Sequence, residues 1–225
     1  MELHVICGYP SKSQGTYDNF NNADFTAAKF IKAIKGKAFR GYATIKQGGV
    51  DYRFENDNQG RLTAMGIAGR GIAGLIYNNF HIEAACIVPV PASDHTALGC
   101  DFTGARIAAA IQQTHAGYRA CPNLTFTQVM QKATEGGSRD PDELTPYLRL
   151  HEGLPQQQPI IIVDDVTSTH GHLKAVARIL RAAGLDVRGA CCVAQTVWSR
   201  PESMFGIPAK DLNIDTWPHD DPQFF

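Results

Sequence analysis

Two adjacent carboxylates, Asp164 and Asp165, follow directly after four branched apolar residues and precede a run of hydroxyl side chains. The apolar run, Ile160 to Val163, is too short for a helix and is typical of a strand buried on both faces of a parallel sheet. Open α/β sheets bind their ligands beyond the carboxyl ends of their strands. We therefore expect the acidic pair to lie at a strand end and to face a ligand.

A phosphate-binding turn is predicted immediately after the acidic pair. Its members carry hydroxyl or imidazole groups or lack a side chain, and they are Thr167, Ser168, Thr169, His170, Gly171 and His172. A helical apolar pattern starts next, so free backbone N–H groups and the positive end of the helix dipole should point toward the space above the acids. Amide and hydroxyl donors suit a phosphate dianion, which makes phosphate the expected ligand of this turn.

The sequence Val163-Asp164-Asp165-Val166-Thr167-Ser168-Thr169, followed by a short helix and Gly184, resembles the phosphoribosyl pyrophosphate (PRPP) binding motif of type I phosphoribosyltransferases. This resemblance implies that the two acids hold the 2′ and 3′ hydroxyls of the ribose and that the turn wraps the 5′-phosphate. It covers roughly residues 84–196. The family turn usually has Gly where this chain has His170, and often Thr or Ser where it has His172.

A second buried strand is predicted from Ala84 to Pro91, which ends in Val-Pro-Val-Pro. This ending is similar to amidophosphoribosyltransferase-like relatives, including the competence-associated ComF group. Of the Arg-Gly-Phe-Asn-Gln box that follows in that group, only Phe102 has a match here. The loop after the strand is nevertheless expected to bind pyrophosphate through backbone amides and Ser93.

The polar, glycine-containing run from Lys132 to Arg139 interrupts the apolar alternation. Loops of this length in compact domains are usually functional lids or disordered. The family resemblance implies a mobile lid that brings Lys132 or Arg139 to the pyrophosphate. A solvated loop with incidental charges remains the alternative.

With 225 residues, the chain is expected to form a single α/β domain, with a mostly parallel sheet and helices on both faces. Residues 84–196 would form its core. A helix capped by Asp24 and a hairpin that turns at Gly48 and Gly49 fall within the first 60 residues, which are the candidate for a small hood over the site. A peripheral hairpin packed on the core is the alternative. The glycines near Gly69 are interpreted as packing positions.

Charge and cysteine content limit the class of protein. The 21 basic and 22 acidic side chains give a formal net charge of -1, which offers no reason to expect nucleic acid or an anionic membrane as the main partner. No apolar run approaches the roughly 18 residues of a membrane span, and we expect no signal peptide. The six cysteines form no C-x-x-C pair and are interpreted as free thiols of a cytoplasmic protein.

The function expected from these observations is PRPP binding with transfer of the phosphoribosyl group to a nitrogen nucleophile and release of pyrophosphate. The partners would be PRPP and a nucleobase or amine acceptor, with a homodimer or a partner protein as further possibilities. Mg²⁺ would neutralise the pyrophosphate and would be linked only indirectly to Asp164 and Asp165. A non-catalytic PRPP or nucleotide sensor, for instance in DNA uptake or a prokaryotic defence cassette, is the main alternative.

Three other interpretations of the motif were weighed. A metal site built from Asp164, Asp165, His170 and His172 is disfavoured, because histidines at i and i+2 of a helix start diverge. A response-regulator receiver also places paired acids after such a strand, but too little chain follows here for its remaining units. A purely structural strand-turn-helix stays open.

Overall fold

The structure is a computed structural model that describes residues 1–11, 20–21 and 23–216. Its strands are β1 (Glu2–Pro10), β2 (Ala43–Gln47), β3 (Val50–Phe54), β4 (Ala85–Pro89), β5 (Tyr118–Ala120), β6 (Leu124–Phe126), β7 (Leu148–Leu150), β8 (Ile160–Thr167), β9 (Val187–Val197) and β10 (Lys210–Asp211). Its α-helices are α1 (Phe25–Ile34), α2 (Asn58–Leu75), α3 (Thr103–Thr114), α4 (Pro141–Leu144) and α5 (Gly171–Ala182). Short turns of other helix types cover Ile76–Phe80, Ala133–Glu135 and Thr145–Tyr147.

Six strands form the central sheet in the order β10-β1-β9-β8-β4-β5. Every neighbouring pair is parallel except β1 with β10, which is antiparallel at one edge. The strand that carries the acidic pair, β8, lies inside the sheet between β9 and β4. The predicted fold class, a mostly parallel α/β sheet flanked by helices, is confirmed.

Side chains of β8 alternate between two apolar layers, as expected for a strand buried on both faces. Ile161 and Val163 pack in a cluster with α1, α2 and α3. Ile160 and Ile162 pack in a second cluster with α5 and the small hairpin of β6 and β7. All four side chains are fully buried, so the start of β8 has no freedom to slip in register without exposing them.

The two strands at the middle of the sheet send their connections in opposite directions. After β4 the chain forms α3 on the first face and returns as β5, whereas after β8 it forms α5 on the second face and returns as β9. Loops that diverge in this way open a crevice between neighbouring strands, at the usual ligand position of such sheets. The acidic pair therefore lies beside a topological switch point.

The N-terminal region differs from the prediction in two respects. Strand β1 pairs with β9 along most of its length and belongs to the central sheet, so only α1 and the hairpin of β2 and β3 remain candidates for a hood. The hairpin turns at Gly48 and Gly49, as predicted. Asp24 makes no side-chain cap on α1 but accepts a hydrogen bond from Arg200 at 2.6 Å, so its predicted capping role is wrong.

Helix α2 runs unbroken through the glycine-rich segment, and Gly69 and Gly71 have a packing role, as predicted. A methyl group added at Gly69 would lie 2.7 Å from the carbonyl oxygen of Ala110, so α2 and α3 meet at backbone contact there. None of the described helices is long and apolar enough to cross a membrane. All six cysteines are free, and only Cys100 is exposed. Part of the polar loop predicted from Gly8 to Asn22, and the tail after Thr216, lie outside the described residues.

Candidate active site

The acidic pair is more enclosed than the sequence suggested. Strand β8 continues through both acids and ends at Thr167, which pairs with Gln195 of β9. The two carboxylates therefore belong to the last residues of the strand and do not lie in the loop after it. Both acids are half-buried, so water reaches them only in part. Because successive strand residues point to opposite faces, Asp165 points toward the layer of α1 and Asp164 toward the layer of α5.

The environment of Asp164 disfavours its ionised form. Its Oδ1 accepts a hydrogen bond from the backbone N–H of Asp165 at 2.7 Å. Burial is the main cause that raises the pKa of Asp164, and the neighbouring charge of Asp165 adds to it, while this hydrogen bond and the cation of Lys35 act against them. The net result is a pKa of about 8 for Asp164.

Asp165 is held by a lysine from the N-terminal region. The Nζ of Lys35, the residue after α1, lies 2.9 Å from Oδ1 of Asp165. Burial of the amine disfavours its charge, but the attraction of Asp165, supported by Asp164 and by Tyr9, outweighs burial and raises the pKa of Lys35. Lys35 therefore remains a cation and neutralises part of the charge of the acidic pair.

In the turn between β8 and α5, His170 adopts a backbone conformation that is usual for glycine. His170 has a φ of 64°, a left-handed conformation that favours glycine, and its side chain is buried. Ser168 and Thr169 are half-buried in the bend before it. Thr167 is buried as the last residue of β8, so the turn itself comprises residues 168–172, and a contact between Thr167 and a phosphate stays a prediction.

The predicted lid lies against this turn. A Cβ at Gly171, the first residue of α5, would overlap the carbonyl oxygen of Arg139, so only glycine fits there. Burial, followed by the charge of Arg139, lowers the pKa of His172, so that imidazole is predominantly neutral near pH 7. The backbone carbonyl of Arg139, at the end of the predicted lid, is therefore in direct contact with the first residue of α5.

The two basic residues of the lid do not meet the acidic pair. The guanidinium of Arg139 donates to the carbonyl of Ala133 at 3.1 Å. The Nζ of Lys132 lies 4.0 Å from Oε1 of Glu135. Both cations therefore interact with their own segment. Their predicted contact with pyrophosphate stays a prediction that would require both side chains to turn.

The loop after β4 is anchored on the other side of the crevice. The N–H of Met130 donates to the carbonyl of Ser93 at 2.7 Å, which ties the beginning of the lid to this loop. The segment from Met130 to Arg139 thus contacts the loop after β4 at one end and the start of α5 at the other. It spans the switch point between β4 and β8.

The side chain of His95, in the same loop, is buried, and its ring has no polar partner in the described part of the chain. Its ring is 2% exposed and lies 4.3 Å from the ring of Phe102, and neither ring nitrogen has a hydrogen-bond partner among the residues the structure describes. Burial is the main cause that lowers the pKa of His95, with His151 adding to the effect and Asp94 opposing it. Helix α3 begins next to Phe102 without a side-chain cap, which leaves backbone N–H groups directed at the crevice.

The acidic pair does not have the donor set of a directly bound magnesium ion. An ammonium group already contacts Asp165, and it would repel a cation placed on the same carboxylate. Within the described ranges, no group of three or more His, Cys, Asp or Glu side chains could hold a metal ion. The alternative metal site that joined the acids to His170 and His172 is therefore wrong.

Sequence reasoning missed Lys35 and the buried ring of His95. Lys35 was one of several lysines near the end of a predicted helix, and nothing in its local sequence distinguished it. Only the packing of α1 against the sheet brings its amine to β8. The isolated polar ring of His95 likewise depends on Phe102 and on the β6–β7 hairpin.

Comparisons with known proteins give weak likenesses. No family model matches the sequence, and no curated protein sequence matches it either. The chain is similar in structure to Leishmania donovani UMP synthase, with 16% identity and a TM-score of 0.39 over 78% of this chain, and it spans 32% of that protein's length. It is similar to adenine phosphoribosyltransferase from Saccharomyces cerevisiae, with 14% identity and a TM-score of 0.39 over 75% of this chain and 89% of that one.

A third similar structure is adenine phosphoribosyl transferase from Trypanosoma brucei in complex with AMP, pyrophosphate and ribose-5-phosphate. It shares 12% identity with this chain, with a TM-score of 0.41 over 84% of this chain and 87% of that one. At these values the likenesses carry no argument about function. The functional argument therefore rests on the geometry of the crevice.

The contact between Gly171 and Arg139 predicts a strong effect of a single methyl group. Gly171→Ala should destabilise the protein by about 1–3 kcal/mol, or displace the lid, because a backbone carbonyl must move. Urea denaturation measures the first effect, and limited proteolysis between residues 132 and 139 measures the second. Gly74→Ala is the matched control in α2, since no atom lies within 4 Å of its added Cβ. Wild-type stability and proteolysis in Gly171→Ala would contradict the contact.

The raised pKa of Asp164 predicts how stability changes with pH. The unfolded chain releases this proton near pH 4, whereas the folded protein keeps it until about pH 8, so this group's contribution is lost as pH rises between these values. Asp164→Asn removes the cost of ionisation. Its melting temperature relative to wild type should therefore increase steadily from pH 5 to pH 8. Asp51→Asn, at an exposed position of β3, is the control, and parallel curves for all three proteins would refute the shift.

Proposed function

We propose that this protein binds PRPP and transfers its phosphoribosyl group to a nitrogen nucleophile. The observation that carries the proposal is the position of the acidic pair at the carboxyl end of β8, beside the crevice between β4 and β8. Carboxylate oxygens accept hydrogen bonds from a vicinal diol, which a ribose supplies. The turn that follows the pair, with the start of α5, offers amide and hydroxyl donors at one side for the 5′-phosphate.

The opposite side of the crevice suits the diphosphate of the same ligand. The uncapped start of α3 and the loop that contains Ser93 present backbone N–H groups there. The reaction breaks the bond between the anomeric carbon and a diphosphate oxygen and forms a bond from that carbon to the acceptor nitrogen. Positive charge develops on the ribose in the transition state, and the carboxylate of Asp165 lies where it would stabilise that charge, whereas Asp164, with a pKa of about 8, would contribute only when it is ionised.

Mg²⁺ enters this proposal only as a companion of the diphosphate oxygens, because the acidic pair does not fit a directly bound ion. No step of the reaction is assigned to it. Pyrophosphate leaves as a stabilised anion, so little proton transfer is required of the protein. The acceptor is proposed to be a nucleobase or an amine, which the candidate hood of α1 and the β2–β3 hairpin would select.

A non-catalytic PRPP or nucleotide sensor is the second candidate, and a specific observation favours it. Both cations of the lid interact within their own segment, and His170 replaces the glycine of the phosphate-binding turn. A site that binds the ribose and phosphate but does not place a cation at the diphosphate would recognise the ligand without turnover. Calorimetric titration with PRPP and Mg²⁺, followed by assays of pyrophosphate release with a panel of nucleobases, separates the two functions.

The acidic pair provides the first test of the binding site. Replacing both acids, in Asp164→Asn/Asp165→Asn, should weaken PRPP binding by about 100-fold or more, since the charge-assisted hydrogen bond to Asp165 and the hydrogen bond to Asp164 are both disrupted. Calorimetry measures the affinity, and circular dichroism checks that the fold persists. Asp51→Asn serves again as the surface control. Unchanged affinity in the double variant would remove the proposed ligand site.

His170 provides the test that separates enzyme from sensor. His170→Gly should keep the turn, because glycine adopts the left-handed conformation without steric cost. An enzyme should keep or increase its rate of pyrophosphate release in this variant. A sensor should bind PRPP in both forms and release no pyrophosphate with any base. If neither form binds a phosphoribosyl ligand at millimolar concentration, the turn is not a phosphate site.

A further inference from the structure

The end of α1 is closed in a way that fixes the position of Lys35. The N–H of Lys35 donates to the carbonyl of Ile31 at 3.0 Å. Gly36 adopts a left-handed φ of 64°, and its N–H donates to the carbonyl of Ala33. The N–H of Lys37 then donates to Lys32 at 2.7 Å, which completes a Schellman-type ending. The carbonyl end of a helix also favours a cation. Lys35 thus extends from a rigid point toward the sheet.

The ion pair that Lys35 forms with Asp165 is shielded from water on both sides. The side chain of Lys35 is 28% exposed and that of Asp165 is 18% exposed, so the pair is less screened than a surface salt bridge. Its distance of 2.9 Å is that of a charge-assisted hydrogen bond. Such a bond restricts the orientation of the Asp165 carboxylate.

Each carboxylate of the acidic pair therefore has one oxygen engaged. Oδ1 of Asp165 accepts from Lys35, and Oδ1 of Asp164 accepts from the N–H of Asp165. In the part of the chain that the structure describes, no other hydrogen bond to either side chain is found. One oxygen on each residue remains for a ligand, and the free oxygen of Asp165, on the α1 side of β8, is the one whose direction Lys35 restricts.

We propose that Lys35 is a positioning residue that orients Asp165 toward one hydroxyl of the ribose and so makes the site selective for ribose over deoxyribose. This inference rests on the proposed function. It assigns to the N-terminal segment a part in sugar recognition that neither the acidic motif nor the phosphate-binding turn supplies. A general attraction of Lys35 to the ligand's phosphates is the competing explanation, and it makes a different prediction.

The experiment measures affinity for ribose 5-phosphate, 2-deoxyribose 5-phosphate and 3-deoxyribose 5-phosphate by calorimetry at fixed Mg²⁺. In the wild type, both deoxy sugars should bind more weakly than ribose 5-phosphate. Lys35→Met should reduce the preference over one deoxy sugar by about tenfold and leave the preference over the other unchanged, since one oriented hydrogen bond to a charged group is lost. Lys37→Met, two residues away and exposed, is the matched control.

A double-variant cycle isolates the role of Lys35. In an Asp165→Asn background, Lys35→Met should have no further effect on the sugar preference, because the carboxylate it orients is absent. Thermal denaturation checks that each variant folds, and Lys35→Gln replaces the Met variant if that protein is unfolded.

Three results would overturn the inference. An equal loss of affinity for all three sugars in Lys35→Met would show general attraction to phosphate. Unchanged sugar preferences in that variant, with a selective wild type, would remove the role of Lys35 and leave the proposed function intact. A wild type that binds none of the three sugars would remove the proposed function and this inference together.

Discussion

The burial of β8 on both faces is the constraint on which the candidate site depends. Four consecutive branched residues leave this strand no exposed face, so it must lie between two parallel neighbours and under helices on both sides. The two acids come near the end of this strand, where their carboxylates are only partly accessible to water. The raised pKa of Asp164 and the cation of Lys35 beside Asp165 are the consequences of that position.

The same sheet explains why a crevice opens beside the acidic pair. Because α3 and α5 lie on opposite faces, the segments after β4 and β8 separate and leave a crevice between them. The segment from Met130 to Arg139 spans it and contacts both sides, at the carbonyl of Ser93 and at Gly171. This segment therefore connects the two sides of the crevice.

Charge in the site is distributed differently from what the resemblance implied. The expected cations, Lys132 and Arg139, bind within their own loop, while an unexpected one, Lys35, contacts the acids. A cation on the acids favours recognition of a neutral diol over binding of a metal ion. This ion pair links the end of α1 to the acidic pair of β8.

The sequence alone determined the parts that depend on local pattern. The apolar run of β8, the glycine turn at Gly48 and Gly49 and the helical spacing after Gly171 each predicted their elements, because burial and backbone geometry act within a few residues. The left-handed φ of His170 is the conformation expected for the glycine that the resemblance implies at this position. The acidic pair lies at the carboxyl end of β8, as predicted, and its contact with a ligand stays a prediction.

Only the tertiary structure decided which distant groups meet. Strand β1 joins the sheet through partners nearly 190 residues away, the pairing of β8 with β9 extends it through Thr167, and Lys35 reaches Asp165 across 130 positions of sequence. Such contacts follow from how the helices and the sheet pack on each other, and a local sequence pattern does not predict them. The exposure of the acids, the direction of the lid cations and the isolation of His95 were set at that level, by the packing of layers around β8.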